Sequence, residues 1–177
     1  MKKLLIVLAV VLFTVGFANK VSAQLVTKSN SAGGEIVAPI TLTSVNKLEF
    51  GRIATGTVAG SVVLTPAAAP GITYDVVLAV PGGATRSAAS YDVTGTGGYK
   101  YAISVPTGSI TLAGSAAGTS MTVSGFNALS VGTPNTTGGT LTTGGTDVFY
   151  VGGTLNVGAS QAAGVYSGTF NVSVNYN

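Results

Sequence analysis

Proton-transfer chemistry in this 177-residue chain would rest on five carboxylates, Glu35, Glu49, Asp75, Asp92 and Asp147. Two of them facing each other across a cleft would suit glycoside hydrolysis. The closest pair in sequence, Glu35 and Glu49, stands 14 residues apart, and no spacing favours such a pair. All five are expected as solvated carboxylates on strand faces and turns. The chain has no His, no Cys and no Trp. That excludes a zinc cluster of His and Cys, a thiol nucleophile, a serine–histidine triad and a disulfide. No Ser sits in a G-x-S-x-G elbow. The glycine pairs Gly138–Gly139, Gly144–Gly145 and Gly152–Gly153, and the GTGG at Gly95–Gly98, lack the Lys-Ser/Thr of a phosphate-binding loop and read as turns. Neither a catalytic residue, a metal ligand nor a cofactor is expected, and an enzyme is not.

The charges that remain are few, 8 Lys+Arg against 5 Asp+Glu. A nucleic-acid surface needs a basic face, so nucleic acid is not an expected partner. Lys2 and Lys3 precede an uncharged apolar run, Leu4 to Ala18, and Val21-Ser22-Ala23 offers small residues ahead of Gln24. That order is a secretory signal peptide over residues 1–23. The run of 15 residues is shorter than the roughly 20 that span a bilayer, so no membrane span is expected after cleavage. Lys2, Lys3 and Lys20 leave with the signal. Lys28, Lys47, Arg52, Arg86 and Lys100 then balance the five acids, and the exported chain is formally neutral. Self-repulsion is removed, and close association is permitted. The expected location is the periplasm, the cell surface or the medium.

Residues 24–177 make one domain, and its elements read as strands. Short runs rich in Val, Ile, Thr and Tyr are punctuated by Gly and Pro, without helical spacing of apolar residues. Candidate strands are Glu35–Ser44, Lys47–Ala54, Thr57–Leu64, Ile72–Val80, Ala89–Thr94, Tyr99–Val105, Ser109–Leu112, Ser120–Phe126, Asp147–Val157 and Val165–Tyr176. About ten short strands at this spacing predict an all-β, immunoglobulin-like antiparallel sandwich. Gly132–Gly145 reads as a long polar loop or hairpin tip. A small outer-membrane barrel has the right length but lacks apolar bands flanked by aromatic girdles.

The end of the chain is the best patterned part. Tyr166, Phe170, Val172, Val174 and Tyr176 share one parity, and Ser167, Thr169, Asn171, Ser173 and Asn175 share the other. Period-two alternation to the last residues demands a strand docked in a sheet. Ile36, Ala38, Ile40 and Leu42 alternate in the same way near the start. They read either as the domain's own first strand or as a donor strand for a neighbour, and their place in the chain favours the first. Tyr99 and Tyr101 beside Lys100 suggest a small surface patch for a sugar, or else side chains at the core edge. Of the two arginines left after export, Arg52 and Arg86, one is expected in an ion pair, and neither alone supports an anion site.

The C-terminal GVYSGTFNVSVNYN, with Gly164 fourteenth from the end and Tyr176 penultimate, resembles the C-terminal signature of chaperone–usher pilins. The resemblance implies a sandwich short of one strand, completed by strand addition from a neighbour. Gly164, Tyr166, Phe170, Val172, Val174 and Tyr176 would then form the assembly strand. It also implies copies of the chain or related subunits as partners, with a periplasmic chaperone and an outer-membrane usher. The pilins commonly carry a disulfide, which this chain cannot form. Over nearly the whole exported chain, Asn46–Ile53 (NKLEFGRI), Gly60–Leu64 (GSVVL), Tyr91–Pro106 (YDVTGTGGYKYAISVP) and Val151–Asn177 resemble the bacterial domain-of-unknown-function 4402 family. That family is similar to pilin-like and spore-coat-U-like secreted sandwiches with an early L-x-F-G and a late G-x-Y-x-G. The expected function is an exported structural subunit of a surface or fimbrial assembly. A self-contained adhesin or carbohydrate-binding module is the other expectation.

Overall fold

A computed structural model describes residues 24–82 and 85–177, and the expected signal peptide lies outside them. Residues 24–35 carry no regular secondary structure. The rest of the description concerns residues 36–177, a single compact unit.

Among the described residues that unit is all-β and antiparallel, with thirteen strands where the sequence suggests about ten. In chain order they are β1 (Thr41–Asn46), β2 (Ile53–Ala54), β3 (Gly60–Leu64), β4 (Ile72–Asp75), β5 (Leu78–Ala79), β6 (Ala89–Thr94), β7 (Lys100–Ser104), β8 (Ile110–Gly114), β9 (Ser120–Ser130), β10 (Gly138–Thr140), β11 (Thr146–Val157), β12 (Tyr166–Ser167) and β13 (Ser173–Tyr176). The large sheet runs β1-β6-β11-β9-β8-β12, with β3 against β11 and β4 beyond it. A smaller sheet runs β10-β7-β13, and β2 pairs β5.

β11 organises the large sheet. One side of it pairs β6 along Thr146–Val151 and then β3 along Gly153–Val157. Gly152 stands at the change of partner, where a Cβ would collide with the Leu64 carbonyl oxygen. Only glycine allows that approach. Alternation along the strands then sends one parity inward. Val93 of β6, Phe149 and Val151 of β11, Val123 and Ala128 of β9, and Tyr101 and Ile103 of β7 meet in one buried cluster. The Tyr91 and Phe149 rings stack with centroids 5.1 Å apart. Both sheets thus share one apolar core, which is the arrangement of a β-sandwich.

Several expected strands are shorter or broken. Ile72–Val80 divides into β4 and β5 at Val76, whose φ of 61° is a strained value for a β-branched residue. Only Ile53–Ala54 is strand within Lys47–Ala54, with Glu49 in a single bridge to Ser87. Gly132–Gly145 is not wholly loop, because Gly138–Thr140 adds β10 to the edge of β7. Strand Glu35–Ser44 begins only at Thr41; Ile36, Ala38 and Ile40 precede it.

Candidate functional site

The C-terminal segment is docked antiparallel beside residues 100–114, but in two steps. β12 pairs β8 through Tyr166↔Gly114 and Ser167↔Ala113, at the edge of the large sheet. β13 pairs β7 from Ser173↔Ser104 to Tyr176↔Tyr101, at the edge of the small one. Residues 168–172 leave the ladder between them, so the expected single strand Val165–Tyr176 is interrupted. The break falls where the partner strand also breaks, between β7 and β8. An open cleft of about 380 Å³ lies there, walled by Val105, Pro106, Ile110, Phe170 and Val172.

From Phe170 to Tyr176 exposure alternates without exception. Phe170, Val172, Val174 and Tyr176 are half-buried, and Asn171, Ser173 and Asn175 are exposed. Phe170 packs its ring 5.0 Å from that of Phe126. All four apolar side chains touch the core, yet none is as covered as Val93 or Phe149 beneath them. Ile40 and Leu42 are half-buried against the same core, and β1 passes close to β13.

The backbone of β13 is one-sided. Asn177 N–H donates to the Lys100 carbonyl at 3.2 Å. With Tyr176 opposite Tyr101, the antiparallel alternation then turns Ser173, Asn175 and Asn177 toward β7. The N–H and C=O groups of Val174 and Tyr176 point the other way. No strand pairs that side among the described residues. Gly164 and Tyr166 lie elsewhere, at the β8 edge. Val165 N–H donates to Ser115 Oγ at 3.2 Å, and the Tyr166 hydroxyl donates to the Ala162 carbonyl at 2.7 Å. The six proposed assembly residues therefore divide: Gly164 and Tyr166 lie at an edge of the large sheet, Val174 and Tyr176 at an edge of the small one, and Phe170 and Val172 in the unpaired stretch between them.

Tyr176 has a second task. Its hydroxyl accepts from Thr96 N–H at 2.7 Å and donates to the Ala38 carbonyl at 2.9 Å, while Ala38 N–H donates to Thr96 Oγ1 at 2.7 Å. The approach to β1 and the last strand are clasped through one turn. Tyr176→Phe should lower stability by about 1 kcal/mol, the usual net worth of such hydrogen bonds, read as a fall in the urea midpoint at unchanged slope. Ile36 is fully exposed, Ala38 is exposed and held only by this clasp, and Leu42 is the one member of the four inside β1.

Asp147 corrects the expectation of five solvated carboxylates. It is 6% exposed and accepts four hydrogen bonds. The Tyr101 and Ser130 hydroxyls donate to Oδ2 at 2.8 and 2.7 Å. The Gly132 and Val148 amides donate to Oδ1 at 3.1 and 2.8 Å. Its parity in β11 is that of Phe149 and Val151, and Ser130 shares that of Phe126 and Ala128, so period two carried the signal. The network joins β7 of the small sheet to β9 and β11 of the large one. Tyr101 is fully buried and Tyr99 half-buried, so of the two readings of this pair Tyr101 takes the core one. Burial, and then the hydrogen bond and charge of Asp147, push the Tyr101 hydroxyl far above the usual tyrosine range. Burial also raises Tyr91. The Tyr101 hydroxyl therefore stays protonated in the folded chain at pH values just above 10, where an unfolded tyrosine ionises. Stability should hold below that pH and fall above it, at about 1.4 kcal/mol per pH unit from Tyr101. Tyr101→Phe should make the alkaline limb of a pH–stability profile shallower.

Among the described residues the one ion pair joins Lys47 to Glu49 at 2.6 Å, and neither arginine is in one. Among the same described residues no group of three or more acidic residues could hold a metal ion, and no helix is long and apolar enough to cross a membrane.

A family model described as a domain of unknown function (DUF4402) matches residues 40–176, from the residue before β1 to the last residue of β13. No curated protein and no solved structure matches the chain.

Proposed function

The chain belongs to the DUF4402 family, and we propose that it is an exported structural subunit of a surface or fimbrial-type assembly, joined to its neighbours by β-strand pairing rather than working by catalysis. One observation carries this reading. β13 offers a row of outward N–H and C=O groups above apolar side chains that its own fold covers only halfway. Such an edge templates another strand unless it is blunted by charge, proline or a covering loop. From Phe170 to Asn177 there is neither a charged residue nor a proline. An added strand gains main-chain hydrogen bonds from the edge and side-chain contacts from the half-covered stripe.

The partner is a second copy or a related subunit. The neutral exported chain presents no charge barrier to its own kind. Its residues 24–35 carry no strand, and Leu25 and Val26 there are 85% and 76% exposed. Export places assembly beyond the inner membrane, and a chaperone that holds the β13 edge before assembly fits the same chemistry.

Strand-exchanged assemblies resist detergent until heated. Purified protein run on a denaturing gel should give a ladder of oligomers when unboiled and a single band after boiling. A single monomer band in both lanes, from protein concentrated to about 1 mM, a level at which even weak pairing is populated, would overturn the proposal.

A further inference from the structure

A second feature lies away from the β13 edge. Ala69, Pro70 and Ile72 on one side and residues 80–82, Thr85 and Arg86 on the other border an open cavity of about 410 Å³. That is within the range of small-molecule sites. Its walls are Pro70, Ile72, Val80 and Pro81, with Thr85 and Arg86 at one side. The prolines bring no N–H donor, and Arg86 is the only charged side chain among the described lining residues.

Arg86 is unusual for a cation in this protein. It is half-buried, and its guanidinium carbon sits 5.7 Å from the centroid of the Tyr74 ring. Its Nε is closed off from solvent and has no hydrogen-bond partner among the described residues, and the Tyr74 hydroxyl is in the same condition. No carboxylate pairs with it there. A guanidinium is always charged, so partial burial cannot be relieved by losing a proton. The ring face compensates only in part. A planar anion meeting the fork of donors would compensate further.

We propose that this cavity binds a small monocarboxylate with an aliphatic body, its carboxylate on Arg86 and its chain between Pro70, Ile72, Val80 and Pro81. A single cation selects a single negative charge, and the walls offer nothing to a second one. The apolar walls favour a carboxylate that carries an aliphatic body over inorganic phosphate, which has none to bury there. The site is independent of strand pairing and neither needs nor forbids assembly.

The test is an NMR titration of the 15N-labelled protein, following the Arg86 side-chain Nε–H resonance, with hexanoate, its neutral analogue hexanamide and inorganic phosphate. Hexanoate should shift that resonance saturably, with a Kd of about 1 mM for one charge pair on an apolar wall. Hexanamide, which loses the charge, and phosphate, which has no aliphatic body, should each bind at least about tenfold more weakly. Arg86→Lys, which keeps the charge and loses the fork, should weaken hexanoate by about tenfold, and Arg86→Gln should abolish it. Equal binding of hexanamide and hexanoate, tighter binding of phosphate, or no saturable shift with hexanoate would each overturn the proposal. All three of those readings come from the unaltered protein, so they stand even if a variant fails to fold.

Discussion

Asp147→Ala should destabilise the folded chain by about 3–5 kcal/mol, a large part of what a domain this size possesses. The substitution removes the acceptor for four donors at once. The Tyr101 and Ser130 hydroxyls would stay buried, and each unsatisfied buried group costs about 1–3 kcal/mol. The loss also severs a polar link between the sheets, since Tyr101 belongs to the small one and Asp147 to the large one. Asp147→Asn should cost less, about 1–2 kcal/mol, because the amide oxygen still accepts from the Gly132 and Val148 amides and the two hydroxyls can turn to accept from its NH₂. Urea unfolding of the three proteins checks the order. Equal midpoints would show that the network is dispensable.

Val174→Pro should block assembly while leaving the fold in place. Proline has no N–H, so its effect depends on where that N–H points. At Val174 it points away from β7, so the internal ladder keeps its bonds. The same substitution at Asn175 removes a bond to β7 and should damage the fold itself. Val174→Pro should weaken self-association at least about tenfold, and Val174→Ala less, because alanine keeps the N–H and loses only a half-buried side chain. Sedimentation over a concentration series separates the three. Unchanged association in Val174→Pro would place the contact elsewhere.

Much of this was legible in the residues, for a physical reason. Period-two alternation reports which face of a strand is covered, and so Phe170 to Tyr176 was readable as docked and amphipathic. β6 and β11 fall within a residue of the expected Ala89–Thr94 and Asp147–Val157, because Gly95 ends the first and Gly145 and Gly158 bracket the second. What alternation does not report is the neighbour. It could not show that the C-terminal strand serves two sheets in turn, since residues 168–172 alternate whether or not they are hydrogen-bonded. Nor could it show that β11 takes two partners on one side. The strain at Val76 is set by tertiary packing, and nothing local announces it.

Asp147 shows the opposite failure. Its parity in the strand points inward, while its residue type alone points to the surface. A buried carboxylate survives only if donors converge on it. Those donors come from positions 101, 130, 132 and 148, which no local pattern connects. The penultimate Tyr176 was noticed as part of a terminal signature, while its hydroxyl clasp to Ala38 and Thr96 depends on a meeting of chain ends that sequence spacing does not show.

Amide hydrogen exchange, resolved by residue and compared between monomeric and concentrated protein, tests the open edge most directly. Asn175 and Asn177 face β7 and should be protected in both samples. Val174 and Tyr176 should exchange fast in the monomer and become protected on association, by at least about tenfold, as a new strand takes up their N–H groups. If Val174 and Tyr176 exchange equally fast in both samples while the protein associates, the β13 edge is not where these chains join.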